Sequence, residues 1–210
     1  MSKTLKMLTL IAALSLTAPA LAGQYEVVSG QVQRMLTQAA KNDEAALNAT
    51  RQQLESAPRP AHQNVKDARA LNQQGLEALK RNDYQSAATA FQKAQETDPA
   101  DVEVAGNLGY LNLKIGQLKR AEQHLVYAIS LAPGRSSSWY NLGQVYGAMN
   151  DGEKAAGAFA AAYRFSQNPP KTLDFMRQAL TAPENNETTR AALKRALALS
   201  GTPLEGSAAR

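Results

Sequence analysis

A 34-residue step constrains this chain more than any other feature. Gly75, Gly109 and Gly143 are separated by it, as are Ala87, Ala121 and Ala155, and Ala94, Ala128 and Ala162. Phe91, Leu125 and Phe159 place a large apolar side chain at the same interval. Pro99 and Pro133 close the first two blocks, whereas the third has Gln167 there and Pro169 and Pro170 shortly after. Small-residue columns in register with a bulky column describe one supersecondary unit repeated along the chain. A unit this short cannot bury its apolar face alone, so neighbouring units must stack.

Within a block the residues read as two helices of about a dozen residues joined by a tight turn. In the third block Trp139, Leu142, Gly143 and Tyr146 fall at offsets that share one helical face. A glycine on that face weakens the helix by up to about 1 kcal/mol, so some other element must come close there. Turn-prone residues sit mid-block at Arg81-Asn82-Asp83, Gly116-Gln117 and Asn150-Asp151-Gly152. Asp101 and the 136–138 serine run are candidate caps for the first helices of their blocks. Pro99 and Pro133 stop the second helices, because proline cannot continue one.

Trp139, Leu142, Gly143, Tyr146, Ala155 and Phe159 match the pattern W-x2-L-G-x2-Y followed by A-x3-F, and through them the chain resembles the tetratricopeptide repeat family. The first block has Leu71 and Ala78 at the aromatic places, and the second has Ala105 and Asn112. The resemblance covers residues 68–169, as repeats 68–101, 102–135 and 136–169. It implies an all-α fold, a helical-hairpin solenoid with three tetratricopeptide-like repeats plus flanking helices.

The family resemblance further implies a groove lined mainly by the first helix of each pair. First-helix residues off the packing columns are Arg69, Asn72, Leu76 and Lys80 in block one, and Glu103, Asn107, Tyr110 and Lys114 in block two. Block three adds Tyr140, Asn141 and Gln144. Tyr110 and Tyr140 stand out, since aromatics with a polar tip are favoured at interfaces. The alternatives are that terminal helices cover the groove or that the tyrosines pack locally. Family members that grip chaperone C-terminal carboxylates use a Lys, Arg and Asn clamp. Asn107 fits one clamp position, but Asn72, Leu76, Ser137 and Asn141 replace the other expected residues, so such a clamp is not expected.

The flanks differ from the array. Residues 1–22 begin with Lys3 and Lys6, continue through an apolar run and end in Ala20-Leu21-Ala22, the order of a secretory signal peptide cleaved after Ala22. Removing those two lysines takes the formal charge from +5 to +3, since the segment holds no acidic residue. An exported, periplasmic protein is the expectation. Residues 23–67 form an N-terminal helical segment and connector. The helical part is either one amphipathic helix or a pair turning at Lys41-Asn42-Asp43, with the pair preferred. Residues 57–67, with Pro58, Pro60 and His62, read as the connector. Residues 170–200 read as two capping helices, the first carrying Leu173, Met176 and Leu180 on one face, and 201–210 as a flexible tail.

No cysteine is present, which excludes disulfides and thiolate chemistry. The two histidines, His62 and His124, lie in no metal-ligand spacing, and His124 reads as a solvated helix residue. No nucleophile turn or phosphate-cradling loop occurs, so no enzyme, metal or cofactor is expected. Lys114, Lys119 and Arg120 are interleaved with Glu103 and Glu122, which argues against nucleic acid. No stretch after the leader reaches membrane-spanning length. The expected function is a periplasmic protein–protein scaffold or adaptor, in envelope, pilus or secretion assembly. A holder of extended secreted chains is the alternative, ahead of an enzyme or metal protein with an unrecognised site. The partner's identity and the oligomeric state stay open.

Overall fold

The repeats fold as three antiparallel helix pairs, and their glycine and bulky columns meet inside each pair. In the computed structural model, which describes residues 18–201 and side chains from residue 27 onward, the pairs are α3 (Val65–Lys80) with α4 (Tyr84–Thr97), α5 (Val102–Lys114) with α6 (Leu118–Leu131), and α7 (Ser136–Ala148) with α8 (Gly152–Arg164). They are preceded by α1 (Ala18–Ala40) and α2 (Glu44–Glu55), and followed by α9 (Pro169–Ala179) and α10 (Glu187–Leu199). All regular structure among the described residues is helical. The expected leader lies, up to residue 17, outside the described residues, as does the tail from 202.

The cause of the glycine column is steric. A Cβ on Gly75 would lie 2.5 Å from the Phe91 ring, one on Gly109 2.5 Å from Leu125, and one on Gly143 2.6 Å from Phe159. Each bulky side chain of a second helix therefore rests directly on the backbone of its partner first helix. The helix-propensity loss at each glycine is offset by the close packing it permits.

Local chemistry sets the ends. Asn42, Asn82 and Asn150 adopt positive φ in the turns, and Gly116 takes the equivalent place in the second repeat. Asn tolerates this left-handed conformation better than other non-glycine residues. Asp43, Asp83, Asp101 and Asp151 then cap the following helices, each accepting a backbone N–H. The serine run does not cap α7. Its cap position is Arg135, the Ser136 hydroxyl instead donates to the Ala162 carbonyl at 2.7 Å, and Ser138 is buried. Ser136 ties the start of the third repeat to its end, a use that local sequence cannot reveal.

The N-terminal segment is a helix pair turning at 41–43, but it does not stack in front of the first repeat. α1 packs along α8 and reaches α6, on the second-helix side of the third and second repeats. Its buried face is Val32, Met35, Leu36 and Ala39, within the same core as Leu125, Trp139 and Phe159. The outward positions of the second helices account for this choice. Thr89, Gln92 and Lys93 in the first repeat become Gln123, Val126 and Tyr127 in the second and Gly157, Ala160 and Ala161 in the third. Apolar surface thus grows along the array, and residues 155–162 are buried throughout. A helix apolar on all sides requires partners on all sides; here they are α1, α7 and α10.

The leading face of the first repeat is polar for the complementary reason. Val104, Leu108 and Leu111 of α5 are buried against the first repeat, while the equivalent Ala70, Gln74 and Glu77 of α3 are exposed. A polar outer face is how a solenoid end remains soluble. The connector returns from α2 to this end, where the buried Asp98 carboxylate accepts from His62 Nδ1 at 2.7 Å and from the Gln63 and Ala100 N–H groups. At the other end α10 buries Leu193 and Leu197 and exposes Lys194 and Arg195. His124, expected to be solvated, is half-buried; burial and the nearby Arg120 charge lower its pKa.

Candidate functional site: a groove on the first-helix side

With the N-terminal pair docked on the second helices, the first helices of the second and third repeats keep a groove of about 1380 Å³. Its floor and one wall come from α5 and α7, and the other wall from α9 and the segment leading into α10. Tyr110, Lys114, Tyr140, Asn141 and Gln144 line it together, as their common helical face dictates.

Tyr140 is the anchor of the floor rather than a free contact residue. It is 8% exposed and its ring packs at a tilt against Phe159, at 5.3 Å, and Phe175 of α9, at 4.9 Å. Burial and the nearby Glu184 carboxylate push its phenol up to about 12, so the hydroxyl stays protonated at physiological pH. Tyr110 is half-buried and lies beneath the Lys114 ammonium, 5.5 Å from its ring. Asn141 and Gln144 are half-buried along one face of α7 and present both donors and acceptors to the groove.

The other first-helix residues lie elsewhere. Asn107 donates its side-chain amide to Asn72 at 2.8 Å, joining α5 to α3 across the repeat junction. Asn72 is buried by that contact, so neither amide faces the groove. This spends the one asparagine that matched a carboxylate clamp. Leu76 packs against the core of the first repeat, while Arg69 and Lys80 are exposed on α3. Glu103 faces Arg135 at 3.8 Å.

Several lining residues were not anticipated from sequence, namely Tyr84, Ser136 and Ser137 of the repeats and Lys171, Phe175, Gln178 and Glu184 beyond them. The usable signal was Phe175. In α9 the apolar face is Leu173, Met176 and Leu180, and Phe175 stands off it, 54% exposed. An aromatic side chain off the buried face of a capping helix indicates a second surface. Asp174, also lining, is held by Arg177 at 2.8 Å.

No group of His, Cys, Asp or Glu able to hold a metal occurs among the described residues, and no helix there is long and apolar enough to cross a membrane. What the groove offers is aromatic surface, amides and two lysines, which is a recognition surface.

Similarity to known proteins agrees with the geometry. A tetratricopeptide repeat family model matches residues 72–136 and a second matches residues 136–169. Among solved structures, the TPR domain of Arabidopsis OM64 superposes with a TM-score of 0.51 at 18% identity, covering 63% of this chain and 96% of that one. The first TPR of Spaghetti (RPAP3), bound to the HSP90 peptide SRMEEVD, gives 0.51 at 19% identity, covering 59% and 100%. The Sgt2 TPR domain of Aspergillus fumigatus gives 0.51 at 18%, covering 73% and 95%. At these identities the likeness is one of fold. Through residues 72–169 the chain belongs to the tetratricopeptide repeat family.

Proposed function

We propose that this protein is a non-enzymatic, exported adaptor of the periplasm that holds a segment of a protein partner in the groove between α5, α7 and α9. The observation that carries the reading is the placement of the N-terminal pair. It covers the second helices of the second and third repeats and leaves the aromatic first-helix groove open. Export rests on the order of residues 1–22, and cleavage after Ala22 would keep the described buried residues of α1, Val32, Met35, Leu36 and Ala39.

A photo-reactive amino acid placed at Gln144 or Gln178 in the exported chain tests the site, with Gln92 on the opposite side as control. One partner caught from the groove positions, and lost on combining Tyr110→Ala with Phe175→Ala in a protein that keeps its helical circular dichroism, supports the adaptor. Many unrelated unfolded chains caught there support a holder instead, a reading that Asn141 and Gln144 favour because side-chain amides pair with any main chain. Capture from Gln92 alone overturns the groove. N-terminal sequencing of the exported protein checks the leader, with Gly23 the expected first residue.

A further inference from the structure

The unspent groups of the groove describe the segment it would take. Lys114 on α5 and Lys171 on α9 both line it, and neither has a carboxylate within ion-pair distance among the described residues. Of the lining carboxylates, Asp174 is already occupied by Arg177, leaving Glu184 alone against the two lysines. Phe175 keeps half its surface open beside Tyr140, although burying a ring of that size is strongly favourable. Asn141 and Gln144 on one wall, and Gln178 on the other, make no side-chain hydrogen bond within the described protein.

We infer that the groove binds an extended polypeptide segment in which a large apolar side chain is adjacent to acidic residues. The apolar side chain seats on Phe175 and Tyr140, and the carboxylates meet Lys114 and Lys171. The amides of Asn141, Gln144 and Gln178 pair with the main chain between them. The combination distinguishes this ligand from simpler ones. A free anion leaves Phe175 exposed, and a purely apolar segment forgoes the attraction of two ammonium groups. Phe175, Lys171 and Gln178 belong to α9, outside the repeats, so this specificity comes from the capping helix rather than from the repeat pattern. The inference rests on the groove being the protein-binding site.

Short fluorescein-labelled peptides on a Gly-Ser background, titrated against the full chain and followed by fluorescence anisotropy, test it. One carries Phe beside two Glu, a second Phe beside two Lys, and a third Ala beside two Glu. The first binds roughly tenfold more tightly than either of the others, and weakens as salt is raised. Lys114→Gln with Lys171→Gln removes both the preference for Glu and the salt dependence, while the helical circular dichroism is unchanged because both side chains are exposed. Phe175→Ala reduces the first peptide to the level of the third. Equal or tighter binding of the Lys peptide overturns the acidic class and leaves the groove reading standing. Binding of none of the three overturns the inference, and the cross-links from Gln144 and Gln178 then decide separately whether the groove reading falls too.

Discussion

A Cβ added to Gly157 would lie 2.2 Å from the carbonyl oxygen of Leu36, so the backbones of α8 and α1 touch at this point. In an isolated helix Gly→Ala stabilises by up to about 1 kcal/mol. Here the neighbour is backbone, which cannot swing aside, so Gly157→Ala reverses the sign. Overpacking of this kind costs about 1–3 kcal/mol. Gly30 provides the control in the same helix pair, because nothing lies within 4 Å of its added Cβ and its backbone needs no positive φ. Urea unfolding of the two alanine variants should therefore show opposite shifts, with Gly157→Ala less stable and Gly30→Ala more stable than the parent.

Gly143 tests the architecture of the repeats. Its added Cβ meets the Phe159 ring at 2.6 Å, and Phe159 also supports Tyr140 on the groove floor. Gly143→Ala should cost about 1–3 kcal/mol. Combining it with Phe159→Ala, which removes the ring that the added Cβ would meet, should cost less than the sum of the two single losses. A double-mutant cycle on thermal unfolding reads the coupling, expected at about 0.5–3 kcal/mol for residues in contact. Strict additivity would contradict the direct contact.

The repeats were legible because their constraint is local and recurs. Gly143, Ala155 and Phe159 sit within one block, and the contact between their columns is made afresh in each. The docking of α1 was not legible in the same way, since Gly157 and Leu36 are distant in the chain. Its trace was nevertheless present in the change from Thr89 to Gln123 to Gly157 at one position, and in the apolar surround that develops with it. Reading columns only for what they share hides what they progressively lose. The groove shows the same division. Tyr110 and Gln144 follow from the family face of the first helices, whereas Asn72 and Asn107 turned inward to each other, a pairing set by the distance between α3 and α5. Tyr140 was singled out for its chemistry, but Phe159 and Phe175 bury it.

Tyr146 links three elements through one hydroxyl. It accepts from Gln33 Nε2 of α1 at 2.7 Å and donates to Glu122 Oε1 of α6 at 2.9 Å. Tyr146→Phe keeps the ring and removes both bonds, leaving the amide and carboxylate without that bridge. The expected loss is about 1–3 kcal/mol, the sum of two modest hydrogen bonds, one of them to a charged group. Hydrogen exchange should accelerate in α1 and α2 more than in α3 and α4, because only the former pair depends on this bridge. Uniform acceleration, or none, would remove Tyr146 as the tie between the N-terminal pair and the repeats.

Asp98 supplies the pH dependence. Burial raises its pKa, but the hydrogen bonds from His62, Gln63 and Ala100 outweigh that and hold the carboxyl below its ordinary 3.8. A carboxyl whose folded pKa lies below its unfolded value contributes stability that is complete above the unfolded pKa. That stability is lost as pH falls through the folded value. The connector and the junction between the first two repeats should therefore loosen below about pH 4, before the glycine-packed interiors of the repeat pairs. Asp98→Asn removes the carboxylate and should flatten the acid limb of the stability curve while lowering its neutral plateau. The measurement is the urea midpoint of parent and variant at matched pH values from neutral to pH 3. Parallel curves across that range would show that the clasp at Asp98 does not govern acid stability.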